Sequence, residues 1–88
     1  MSKVFKKVII KNESGLHARP AAGVAQIAQH AISDIYIEKN GIRADAASIP
    51  DILSLFCPRD TEITVSAKKS EDRHVVDRIV IFISELTS

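Results

Sequence analysis

Short segments of alternating hydrophobic and polar residues recur along this 88-residue chain. Near the start, Val4, Val8 and Ile10 fall on one side of such a segment, and lysines fall on the other side. A period of two residues is typical of a strand with one buried face. The pair Asn40 and Gly41 predicts a hairpin, because a type I′ turn needs positive φ twice. The alternation predicts four strands, over residues 3–11, 34–38, 42–45 and 61–67.

Helical spacing marks three further segments. Residues 18–29 are rich in alanine and place small apolar residues on one stripe, which allows close packing on a sheet. A short helix is predicted to begin after Ser48, a residue type that caps helices, and to end near Leu55. Residues 70–86 contain many β-branched residues, but their apolar positions recur at helical spacing. The order βαββαβα predicts an α+β fold, with a four-stranded antiparallel sheet and helices on one face.

Composition narrows the class of protein. A length of 88 residues predicts a single domain over residues 1–88, and 45% apolar residues are enough to form its core. The formal net charge of +1 predicts no nucleic-acid partner. Cys57 is the only cysteine, and no Cys/His cluster has metal-site spacing, so we expect no metal and no cofactor. No apolar run is long enough for a signal peptide or a membrane span, which predicts a cytoplasmic protein without membrane insertion.

The segment Gly15-Leu16-His17-Ala18-Arg19-Pro20-Ala21 carries the candidate chemistry. It places His17 directly before a predicted helix, where backbone N–H groups lack partners and attract anions. A neutral imidazole at this position is a nucleophile that can receive a phosphoryl group. The amides of Ala18 and Arg19, together with the Arg19 guanidinium, are predicted to bind the transferred phosphate. The alternative is that His17 only caps the helix and faces water.

These seven residues resemble the phosphohistidine signature of the HPr family, the histidine-containing phosphocarriers of the bacterial phosphotransferase system. The likeness covers about residues 4–86 and implies an open-faced βαββαβα sandwich with three helices on one face. It also implies that His17 accepts phosphate on its δ nitrogen (pros-phosphohistidine) from enzyme I and passes it to IIA components of sugar permeases. Arg19 would help to balance the charge. The family implies a monomeric stoichiometric carrier rather than an enzyme with turnover of its own.

The second predicted helix differs from the usual family pattern. Ser48 matches the position that HPr kinase/phosphorylase modifies in some members, but its residue type also favours the alternative of a plain N-cap. Pro50 replaces a flexible apolar residue, and Asp51 would repel a phosphate in the same turn. Phe56 stands where the family often has glycine, close to His17. Regulatory phosphorylation at Ser48 is therefore a hypothesis with two open outcomes.

Position alone suggests a docking surface, since the second helix would lie beside the start of the first. The predicted apolar docking residues are Ile49, Ile52, Leu53 and Phe56.

The altered helix also favours an alternative function, a regulatory paralogue in a nitrogen-type or incomplete phosphotransferase chain. A nucleic-acid-binding α/β domain has a similar strand order, but Tyr36 stands nearly alone where base stacking needs several aromatic residues.

Overall fold

Four antiparallel strands form one sheet in the computed structural model, which describes residues 3–88. The first and second strands of the chain each pair antiparallel with the last strand, which therefore lies inside the sheet. The third strand occupies one edge and the first strand the other. In the spatial order β1-β4-β2-β3, the strands are β1 (Val4–Ile9), β4 (Glu62–Ala67), β2 (Ile35–Lys39) and β3 (Ile42–Asp45).

Three helices cover one face of this sheet, which confirms the predicted α+β sandwich. The third helix is preceded by a 3₁₀ turn, Ser70–Asp72, so the helical spacing over residues 70–86 was the correct interpretation. Within residues 3–88, no helix combines the length and apolarity needed to cross a bilayer. The helices are α1 (Ala18–Ala28), α2 (Ile49–Ser54) and α3 (Arg73–Ser84).

The hydrophobic core lies between the sheet and the helices. Alternate strand residues point into it, so Ile37, Ile63 and Val65 are at most 1% exposed. The opposite face of the sheet is open, and Phe5 on β1 is one of its exposed residues. At the β2–β3 hairpin, Asn40 and Gly41 have φ of 51° and 83°, as the predicted turn requires.

Asp72 connects the start of α3 to the loop that follows α1. Its buried carboxylate accepts hydrogen bonds from the Ile32 amide (2.9 Å), the Ser33 amide (2.7 Å) and the Ser33 hydroxyl. Burial acts to raise the pKa of Asp72, but the bonds from Ser33 and Ile32, with the nearby His74, outweigh it. The pKa of Asp72 is therefore lower than its ordinary value of 3.8.

The variant Asp72→Asn should lower the free energy of unfolding by about 1–3 kcal/mol near neutral pH, because one amide oxygen cannot satisfy three donors. The carboxylate is stabilising above the unfolded-state pKa near 3.8 and loses this effect as pH falls through the lower folded-state pKa. Urea unfolding across the acidic range should therefore show the difference between wild type and variant shrinking below about pH 4. A difference that stays constant under acid would contradict this role of the carboxylate.

Candidate functional site

His17 lies at the N-cap of α1, with extended backbone angles of φ −85° and ψ −170°. Its side chain is exposed and makes no capping hydrogen bond, so the imidazole is open to solvent rather than used for capping. The first bond of the helix runs from the Ala21 amide to the His17 carbonyl, at 3.0 Å. Within residues 3–88, the amides of Ala18 and Arg19 donate to no protein acceptor. Two free N–H groups therefore follow the histidine.

A tight turn before α1 sets the direction of His17. Asn12 is buried, and its side-chain Nδ2 donates to the Gly15 carbonyl at 2.8 Å. The Gly15 amide in turn donates to the Asn12 carbonyl at 3.2 Å, and Gly15 has φ of 68°. Leu16 is buried, and its amide donates to the Cys57 carbonyl at 2.9 Å. Because Leu16 is anchored in the core, the next residue, His17, is presented at the surface.

A cavity of about 290 Å³ lies on one side of His17. Arg19 lies in its wall, is exposed, and makes no ion pair with any carboxylate of residues 3–88. The guanidinium is therefore available to an incoming anion. The same part of the chain has no group of three or more His, Cys, Asp or Glu side chains that could hold a metal ion. The cavity is lined by His17, Arg19, Pro20, Phe82, Glu85, Leu86, Thr87 and Ser88.

A second groove, of about 220 Å³, lies between His17 and the end of α2. Of the predicted docking residues, Leu53 (40% exposed) and Phe56 (72% exposed) line it. Ile49 is 37% exposed on α2 but lies outside the groove. The docking prediction was wrong for Ile52, which is 0% exposed, because α2 turns this side chain into the core. The complete lining is Ser14, Leu16, His17, Leu53, Phe56, Cys57 and Pro58.

Lys39 on β2 is a residue of this region that the sequence analysis missed. Its Nζ donates to the carbonyl oxygens of Leu55 (3.1 Å) and Phe56, and it lies 5.4 Å from the centre of the Phe56 ring. Cys57 is buried, and this burial raises the pKa of its thiol more than the charge of Lys39 lowers it. The thiol is therefore a poor candidate nucleophile. The hydrogen bonds from Lys39 to the end of α2 gave no sequence signal, because Lys39 lies 16–17 positions before their acceptors, Leu55 and Phe56.

Ser48 caps α2, as its residue type predicts. Its hydroxyl accepts a hydrogen bond from the Asp51 amide at 3.3 Å. The Asp51 carboxylate also accepts from the Asp45 amide at 3.3 Å, and the Asp45 carboxylate accepts from the Ala47 amide at 2.9 Å. Ser48 therefore lies in a turn that also contains the carboxylates of Asp45 and Asp51.

Comparisons with known proteins point to one family. The family model described as the PTS HPr component phosphorylation site matches residues 4–85. The HPr-like protein Crh of Bacillus subtilis (strain 168) is 33% identical over 82 residues, which are 93% of this chain and 96% of that protein. The phosphocarrier protein HPr of Vibrio cholerae is 33% identical over 81 residues, covering 92% and 95% of the two chains.

Solved structures give the same result for the fold. The crystal structure of a phosphocarrier protein HPr from Bacillus anthracis matches with a TM-score of 0.86 and 32% sequence identity. The match covers 94% of this chain and 99% of that chain, so the helices and strands correspond over nearly their full length. On the combined evidence of sequence, fold and family model, the chain belongs to the HPr family.

Proposed function

We propose that this protein is a phosphocarrier that accepts a phosphoryl group on His17 from phosphorylated enzyme I. It then passes the group to IIA components of sugar phosphotransferase permeases. The observation that carries this proposal is the exposed imidazole directly before two unpaired amides at the start of α1. In the first transfer, the bond between phosphorus and the donor breaks as a bond forms to the δ nitrogen of His17, giving a pros-phosphohistidine. In the second transfer, this nitrogen–phosphorus bond breaks as the IIA component takes the phosphoryl group, and His17 returns to a free imidazole.

The site offers enough stabilisation to hold a phosphoryl group without trapping it. The positive end of α1 contributes about 0.3–1 kcal/mol at an exposed position. Each charge-assisted hydrogen bond, from Ala18, Arg19 or the guanidinium, adds about 1.5–3 kcal/mol. Phosphoryl transfer needs mainly positioning and charge neutralisation, which these groups supply. Such moderate binding suits a stoichiometric carrier, which has no turnover of its own and must release its phosphate.

The direct experiment is mass spectrometry after incubation with enzyme I and phosphoenolpyruvate. We expect one acid-labile phosphate per chain, located on the peptide that contains His17. The proposal includes a single-domain monomer, in the cytoplasm where phosphoenolpyruvate is available, so light scattering of the phosphorylated protein should give the mass of one chain. Absence of the adduct with an active enzyme I would contradict the carrier function.

The variant Arg19→Ala should slow phosphorylation of His17 by about tenfold, because it removes about 1.5 kcal/mol of charge-assisted stabilisation. The initial rate of phosphate incorporation from enzyme I measures this effect. Arg78→Ala is a suitable control, since Arg78 is exposed on α3 and lies outside the lining of both His17 cavities. Equal rates for the two variants would show that Arg19 does not hold the phosphate.

A second candidate function is that of a regulatory paralogue in a nitrogen-type or incomplete phosphotransferase chain. The similarity to the HPr-like protein Crh and the Pro50–Asp51 pair in α2 favour it. A separate hypothesis is that HPr kinase/phosphorylase modifies Ser48. A phosphate there would lie near the carboxylates of Asp45 and Asp51 and would be repelled by them. Incubation with the kinase and ATP tests this hypothesis: phosphate on Ser48 supports it, and an unmodified Ser48 argues against it. Genome context tests the regulatory paralogue, because a neighbouring sugar-permease gene would support transport instead.

A further inference from the structure

Phe56 has a backbone conformation that suits a different residue type. It directly follows the C-cap of α2, Leu55, and its φ is 53°. Helices often end at this position with glycine, because a side chain on Cβ disfavours the left-handed region. The other non-glycine residues with positive φ are Asn40 and Asp60, two residue types that tolerate it. Among residues 3–88, Phe56 is therefore the one bulky residue held in this region.

The cost of this conformation is not offset by burial of the ring. Phe56 is 72% exposed, so most of its side chain is in contact with water rather than with the core. A strained residue whose side chain does little for folding is a candidate for function. An exposed aromatic side chain is also the type that supplies much of the binding energy when another protein covers it.

Lys39 holds the ring in a defined place. Its ammonium group donates to the Leu55 and Phe56 carbonyl oxygens at the end of α2 and lies over the ring, 5.4 Å from the centre. The favourable charge at the helix C-terminus and the cation–π contact both fix the orientation of Phe56. A contact residue that is ordered before binding loses less conformational entropy when a partner arrives.

The chemistry of the adjoining groove indicates what covers the ring. Phe56, Leu53 and His17 share this groove with four further residues, and no carboxylate, lysine or arginine is among its lining residues. A volume of about 220 Å³ admits a side chain rather than a helix. His17 itself lines the groove, so the groove is continuous with the transfer site, and a protein that exchanges a phosphoryl group with His17 comes close to it.

We infer that Phe56 is a specificity-determining residue, whose ring receives an apolar side chain of the phosphoryl-donor protein in the groove beside His17. The inference rests on the proposed carrier function. It assigns to this chain a contact that glycine at the same position does not provide. Lys39 acts as the positioning residue for the ring, and Leu53 is a further apolar residue of the groove lining.

Kinetics of phosphorylation by enzyme I and phosphoenolpyruvate test the inference with the intact protein. The variant Phe56→Gly should raise the KM for this chain about tenfold, with kcat within about threefold of wild type, because it removes an aromatic contact without touching His17. Its Tm should equal or exceed that of wild type, because glycine adopts the positive φ without strain. Phe56→Asn removes the ring in a residue type that already takes φ of 51° at position 40, and it should give the same rise in KM.

Asp60→Gly is the matched control. It also replaces a residue of positive φ, 74°, by glycine, but Asp60 does not line the groove. Its KM should equal that of wild type. An unchanged KM in both Phe56 variants would overturn the inference while leaving the carrier function intact, whereas absence of phosphorylation in the wild type would overturn the carrier function itself. A similar rise in KM for Asp60→Gly would assign the effect to loop flexibility and would also overturn the inference.

Discussion

Replacing His17 by alanine is expected to abolish phosphorylation of this protein by enzyme I and phosphoenolpyruvate. The imidazole δ nitrogen is the proposed phosphoryl acceptor, and alanine has no atom that can form the bond. The fold should persist, because the His17 side chain is exposed and makes no capping hydrogen bond. Phosphate incorporation measured by mass spectrometry, with circular dichroism and thermal unfolding of the same sample, separates loss of the acceptor from loss of the fold.

His30→Ala provides the control for this experiment. His30 is also exposed, but it follows the end of α1 and lies outside both cavities that adjoin His17. The variant should accept one phosphate at the wild-type rate. An acid-labile phosphate on the His17→Ala protein, or its loss from the His30→Ala protein, would contradict the assignment of the acceptor.

The fold was predictable because its patterns are local and regular. The strands have one buried face, so their two-residue period is visible in single residues such as Ile35, Ile37, Ile63 and Val65. The segment that forms α3 was the hardest case, since β-branched residues also favour strands. The helical spacing gave the correct prediction, because the apolar residues reach the core together only when they share one helical face. The buried residues of this face are Val75, Val76, Ile79 and Ile83.

The candidate site was predictable only in part. The position of His17 follows from a short contiguous motif, and the exposed imidazole and unpaired amides agree with it. The orientation of α2 does not follow from its sequence, because a helix of six residues contains too few positions to define a buried face. Ile52 was therefore assigned to the surface, although it lies in the core. The spacing of apolar residues alone did not distinguish it from Leu53.

Contacts between distant segments were beyond the reach of sequence patterns. Lys39 binds the end of α2 from β2, and Asp72 binds the loop after α1 from 39–40 residues away. Such pairs depend on how the elements pack, which local propensity does not specify. The same holds for the turn before His17, where the backbone of the loop after α2 approaches Gly15 closely.

This close approach makes Gly15 the glycine with the strictest requirement in the site. A Cβ at Gly15 would overlap the carbonyl oxygen of Cys57 and would lie 2.8 Å from the Cα of Pro58. Both are backbone atoms, so a rotamer change cannot relieve the contact. The φ of 68° adds strain for any other residue. The adjacent hydrogen bond from the Leu16 amide to the Cys57 carbonyl, 2.9 Å long, would have to lengthen.

The variant Gly15→Ala should therefore lower the free energy of unfolding by about 3 kcal/mol, the sum of left-handed strain and overpacking. For a domain of this size, that corresponds to a decrease in Tm of about 12–24 °C. Gly41→Ala is the matched control, since Gly41 has φ of 83° but a Cβ there would have no heavy atom within 4 Å. The Gly41→Ala variant has the backbone strain without the overlap, so its free energy of unfolding should fall by only about 1–2 kcal/mol. Equal losses in the two variants, measured by urea unfolding, would show that the packing of the loop after α2 against Gly15 does not hold the turn that presents His17.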